Sequence, residues 1–194
     1  QRARALNDSG IRLQAVDKVL AVWTGVMHGP LASGVPTMVS MRAFPLAEEQ
    51  HLDVIVELQS LLDRFARLGD DETAIAVPPT EIEAAWAGVS APRGGWQPHI
   101  QTQVEDVRKV ASHVAQTMAT TLPETPGQAV VNSLRHRVWS ETVKIGQIRV
   151  PQGALFAAEA LGFVSGPVEA PVVFYQSGTW TRVTAPHGHI LIRN

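Results

Sequence analysis

The sequence predicts an α+β protein, predominantly helical, with a small antiparallel β-sheet built as a C-terminal hairpin or meander. Three observations predict it. Apolar residues recur at helical spacing through 11–28, 47–68 and 100–118, and a capping signal opens a further helix over 126–143. Turn signals separate short β-branched runs near the C-terminus. Strands and helices do not alternate regularly, which argues against a parallel βαβ architecture.

The first predicted helix spans 11–28. Leu13, Val16, Leu20, Trp23 and Met27 share a face, and Val19, Val22 and Val26 widen it. Gly29-Pro30 is a stop signal. Thr37–Phe44 reads as a strand with neither face purely polar, so an interior or covered one. A second helix is expected over 47–68 on Leu52, Ile55, Leu58, Leu62 and Phe65, capped by Gly69. Thr73–Val77 is expected as a short strand beside 37–44. Thr80 and Glu83 have capping-box spacing for a short helix to Ala87.

Residues 91–98 carry two prolines, two glycines and Trp96, and read as the connection between two halves. The expected organisation is 1–90, helical with one or two short strands, and 99–194, a helical pair followed by antiparallel strands. One compact domain joined through 91–98 is the alternative. In the second half, Ile100, Val104, Val107, Ala111, Val114 and Met118 form a heptad-like seam. Thr125-Pro126-Gly127-Gln128 opens a helix to about Val143. Pro151–Leu161 is an Ala-rich helix closed by Gly162, with Phe163 behind it. Val172–Tyr175 and Thr179–Thr184 flank the hairpin signal Ser177-Gly178, and His189–Arg193 makes a third strand after Pro186-His187-Gly188.

Composition bounds the function. The chain has 194 residues, 45% hydrophobic and 18% charged, enough for a substantial core and too apolar for a disordered chain. Cysteine is absent, which excludes disulfides, Cys-ligated zinc, iron–sulfur clusters and cysteine nucleophiles. A formal net charge of −2 argues against a polyanion-binding domain. No apolar run approaches the roughly 20 residues of a membrane-spanning helix, so no membrane association is expected. Lysine is confined to Lys18, Lys109 and Lys144 while arginine is frequent, which suits a GC-rich bacterial source. The first residue is Gln1, so the native start is expected upstream and a targeting segment there would not be visible. A cytoplasmic setting is the expectation.

The glycine fingerprint of dinucleotide folds, the phosphate loop, HExxH and GxSxG are all missing. Four features remain. His187 and His189 flank one glycine, and two imidazoles on alternate strand positions are a partial metal site needing a third ligand. Their solvated place in a turn is the plainer reading. Arg135 and His136, followed by Arg137, are consecutive on a helix, so they diverge by about 100° each. They serve an anion only if another arginine joins them. Arg93 and Trp96 flank paired glycines, offering a cationic fork and a stacking face for a ligand. Trp180 and Arg182 are expected to share a strand face as a cation–π pair.

The order helix 126–143, helix 151–161, hairpin resembles the topology of a winged helix-turn-helix. Such a likeness implies a DNA-binding regulator. The helix that would read bases, Ala154–Ala160, has no Arg, Lys or Asn, so nucleic-acid binding is disfavoured. The leading expectation is a bacterial interaction or small-ligand-binding protein with no catalytic residues and no cofactor. Its partners would be another copy of itself, through the 100–118 seam or a hairpin edge, or a small anionic ligand. The alternative is a metal-assisted or anion-substrate hydrolase on His187 and His189.

Overall fold

The computed structural model describes residues 10–29, 34–88 and 90–193; Gln1 and the Pro30 of the predicted stop signal lie outside them. Their elements are β1 (Gly10–Val16), β2 (Val19–Met27), β3 (Thr37–Pro45), β4 (Leu52–Glu57), α1 (Leu58–Ala66), β5 (Gln97–Gln103), α2 (Val104–Thr121), α3 (Gln128–Ser140), β6 (Thr142–Ile145), β7 (Ile148–Pro151), α4 (Gln152–Ala160), β8 (Pro171–Ser177), β9 (Trp180–Ala185) and β10 (Gly188–Arg193). A 3₁₀ turn covers Ala85–Gly88. The fold is therefore rich in sheet, and the expected predominance of helix is overturned. Eight strands form one antiparallel sheet in the order β4-β1-β2-β3-β10-β9-β8-β5, and β6 and β7 form a separate hairpin.

Three predicted helices contain strands, each for an identifiable reason. Residues 11–28 are the β1–β2 hairpin, turning at Asp17 (φ 52°) and Lys18 and pairing Val16 with Val19. Ile11, Leu13 and Ala15 are buried while Arg12 and Gln14 are half-buried, a period of two. From Leu20 onward β2 is half-buried or buried on both faces, so its apolar positions fit either period. Residues 47–68 divide into β4, with Leu52, Val54 and Val56 packed beneath α1, and α1 itself. Residues 97–103 extend as β5 before α2 begins. The seam Val104, Val107, Ala111 and Val114 is buried as expected, but within the fold. Residues 73–77 form no strand. In the stretch predicted as a short helix, Glu81 bridges to Val56 and only the 3₁₀ turn is helical.

Thr37–Pro45 is the predicted strand, interior and paired with β2 and β10. The C-terminal strands also form where expected, and α4 closes at Gly162 (φ 73°), with Phe163 packed behind it.

The helices cover one face of the sheet. On the C-terminal half α2, α3 and α4 bury Phe174, Val183, Ile190 and Ile192 together with Met38 of β3. On the N-terminal half α1 covers Ile11, Leu13 and Val56. Leu191 pairs with Val39 and Ile192 with Met38, so the β3–β10 seam unites the two sequence halves in one sheet. The connection between them crosses the other face. It leaves the β4 edge where the Ile82 amide donates to the Ile55 carbonyl (2.9 Å), and buries Trp86 against the sheet. It then runs through Trp96 into β5 on the opposite edge.

Candidate functional site

Strand alternation places a second set of side chains on the face the helices leave free. The register runs Arg12–Trp23–Met41–His189–Thr184–Val173 across six strands. A second row runs Val39–Leu191–Arg182–Tyr175. Four of the five tryptophans, Trp23, Trp86, Trp96 and Trp180, pack together here, whereas Trp139 lies in the helical layer. Trp86 and Trp180 are buried, and Trp23, Trp96, Tyr175, Arg182 and His189 are half-buried.

Arg182 is the centre of this face. Its Cζ lies 4.6 Å from the ring centroid of Trp96 and 4.6 Å from that of Tyr175. Trp96 is held by its indole Nε1 donating to the Pro92 carbonyl (3.0 Å). The Arg182 Nε is buried without a hydrogen-bond partner, and no described carboxylate forms an ion pair with it. Burial lowers its pKa, because desolvation disfavours the charged form. His189 lies diagonally across the β9–β10 ladder from Arg182, with Nδ1 3.1 Å from the Thr184 hydroxyl. Burial, and then the Arg182 charge, depress the His189 pKa.

Arg12, toward the β4 edge of the same face, provides the contrast. Its Nε and an Nη donate to the Asp53 carboxylate at 2.6 and 2.7 Å, and Gln14 adds a third bond at 3.0 Å. The Arg12 bond holds the Asp53 carboxyl below its usual range, with the Arg93 charge a smaller contributor. Arg12 is thus neutralised and Arg182 is not. An open groove beside this pair is lined by Asp53, Ile55, Glu81, Glu83 and Gly88.

The sequence-derived candidates separate in space. Arg93 is exposed on the connection and Trp96 joins Arg182. Arg135 packs over Trp139 of its own helix (5.2 Å), where burial lowers its pKa, and His136 is exposed. Both belong to α3, in the helical layer. His187 is exposed in the β9–β10 turn, its amide donating to the Phe163 carbonyl (2.9 Å), while His189 lies on the strand. Among the described residues no group of three His, Asp or Glu side chains could hold a metal ion. The Thr184–His189 contact has no described carboxylate behind the imidazole to orient it as a base.

Two stacking partners escaped the sequence. Trp180 was the expected partner of Arg182; it is buried, and Arg182 stacks on Trp96 and Tyr175 instead. The Tyr175 contact follows from the hairpin register Ser177–Trp180, which a two-residue Gly178-Thr179 turn dictates. Trp96 arrives from the connection, which no local pattern places. The helix resembling a DNA-reading helix is α4, whose Ala154, Leu155, Ala157 and Ala158 are fully buried. It cannot enter a groove.

The architecture is similar to that of bacterial polymerase clamps. A protein assigned as a DNA polymerase III beta subunit from Eubacterium rectale matches with a TM-score of 0.55 and 9% identity, over 95% of this chain and 56% of that one. The DnaN sliding clamp of Bartonella birtlesii, bound to griselimycin, gives 0.50 and 12%, and the DNA polymerase beta subunit of Streptococcus pyogenes 0.50 and 8%, with the same coverages. The chain thus spans a little over half the length of these proteins, and at such identities the likeness is one of fold alone. Residues 91–194 match the family described as domain of unknown function DUF8185, and the chain belongs to that family. Residues 1–88 match a second family, domain of unknown function DUF8010. No curated protein matches the chain.

Proposed function

We propose that this is a bacterial interaction protein that binds its partner on the uncovered sheet face around Arg182, without catalytic chemistry. The observation that carries this reading is the half-buried, unneutralised Arg182 among Trp96, Tyr175 and His189. Trp, Tyr and Arg dominate the energetics of binding surfaces because they combine large buried area with directional donors. The bacterial sources of the similar structures support the bacterial origin, and a cytoplasmic setting belongs to the same reading.

Self-association has a narrower basis than the sequence suggested. The 100–118 seam is spent on the core, and the last strand, β10, is interior between β3 and β9. Of the two sheet edges, β4 is already bonded in part by Glu81 and Ile82, and at β5 Pro98 and the irregular register at 98–100 disfavour pairing.

The test is site-specific photo-crosslinking in cells. A crosslinking residue at Val173 on this face should give a discrete adduct that disappears in Arg182→Gln. The same residue at Gln116, exposed on α2, should give none. Adducts at both sites, or at Gln116 alone, would overturn the reading.

A second reading, association with DNA, is favoured by the clamp-like fold. Against it, the four helices carry Arg64, Arg108, Lys109, Arg135 and Arg137 opposite Asp63, Glu105, Asp106 and Glu159, close to electrical balance. Phosphate neutralisation supplies most non-specific affinity, so DNA retardation at low salt tests it directly.

A further inference from the structure

We propose that Arg182 and His189 together form a binding site for an oxyanion, presented either as a carboxylate of an acidic peptide or as free phosphate. The proposal rests on the binding-face reading above and specifies what that face recognises.

Arg182 is oriented by two aromatic rings, so the direction of its guanidinium plane is set before a ligand arrives. Contact with ring faces leaves the N–H groups in that plane to serve a ligand, and a guanidinium edge matches carboxylate or phosphate oxygens. His189 is tied through Nδ1 to Thr184, which leaves Nε2 as the ring nitrogen for a ligand. In the tautomer whose Nδ1 accepts from the Thr184 hydroxyl, Nε2–H is a second donor in the same neighbourhood. Arg193, exposed and two residues beyond Leu191 on the same strand face, adds positive charge.

Among the described residues no carboxylate pairs with Arg182. Arg12 on the same face has its own carboxylate and a glutamine to complete the bond set. Arg182 has neither, and its buried Nε is unpaired. A half-buried cation without a counter-ion is costly unless something supplies the opposite charge. A bound oxyanion would supply it.

Trp96 gives the readout, because it stacks on Arg182 and is half-buried. Tryptophan fluorescence is followed while inorganic phosphate, or an N-acetylated, amidated hexaglutamate, replaces chloride at constant ionic strength. At least one arm should saturate, and the arm that does identifies the source of the anion. Loss of a charged hydrogen bond should weaken binding about tenfold or more in Arg182→Gln, with a smaller loss in His189→Gln. Should Arg182→Gln fail to fold, His189→Gln decides the matter. No saturable change in either arm, or binding unaltered by the substitutions that fold, would overturn the site. If anions fail to bind while Val173 still crosslinks in an Arg182-dependent manner, the oxyanion falls and the binding face stands.

Discussion

The guanidinium carbon of Arg182 lies 4.6 Å from the ring centre of Trp96, a contact that fastens the crossing connection to the C-terminal strands. It joins a residue at the end of the 81–96 segment to one in the middle of β9. The same contact shapes the candidate binding face, so packing and recognition meet at one side chain.

Replacing Arg182 by Gln removes the cation from both rings. Each cation–π contact at a partly exposed site contributes roughly 0.5–1 kcal/mol. Arg182→Gln should therefore lower stability by about 1–2 kcal/mol in urea titration. A loss within error would mean that the rings do not hold the guanidinium.

Trp86 anchors the connection at 3% exposure against Val39, Trp180 and Leu191. Truncating a buried aromatic leaves a cavity that surroundings fill only in part. Trp86→Ala should cost about 3–5 kcal/mol. It should also speed proteolysis at Arg93. Unchanged cleavage would show that the connection is held by other contacts.

The seam between the halves makes a different demand. Ile192 is fully buried opposite Met38, and Ile192→Ala should cost about 2–5 kcal/mol. Gly153 tests close packing in the helical layer, since a Cβ there would sit 2.5 Å from Cβ of Trp139. Gly153→Ala should cost about 1–3 kcal/mol through overpacking. Thermal melts read both; a neutral Gly153→Ala would mean that α3 and α4 can separate freely.

His189 gives a pH dependence with a definite sign. It is faced by Thr184 and Arg182 on β9 and by Met41 on β3, with no described acid. Its folded pKa lies below the ordinary 6.5, so the unfolded chain binds the proton more readily. This contribution to stability is full above 6.5, falls as the pH drops below that value, and levels off once folded His189 is protonated. Urea titrations between about pH 5 and 8 should show His189→Gln flattening the slope. An identical slope in wild type and variant would contradict the assignment.

Local patterns made some elements legible and misled on others. The C-terminal turns at Gly178 and His187 announced β8, β9 and β10, and the alanines of α4 with Gly162 behind them marked a short helix and its end. In 11–28 and 47–68, apolar residues lie at both helical and alternating spacings, so period alone could not separate strand from helix. The Asp17-Lys18 turn was the local signal that would have resolved the first. For the site, Arg93 and Trp96 are legible as a glycine-flanked pair, and Trp96 belongs to the face. Its meeting with Arg182 depends on the connection crossing the whole sheet, which is tertiary information. In the sequence His189 stands beside His187, but its structural partners are Thr184 and Arg182, reached through strand register.

Hydroxyl-radical footprinting in cells, against the purified protein, tests the binding face most directly. Met41, Trp96 and Tyr175 should be labelled less in cells, while Phe65 on α1, 53% exposed, should be labelled equally in both. Equal labelling of all four residues in the two settings, or protection of Phe65 alone, would contradict the account.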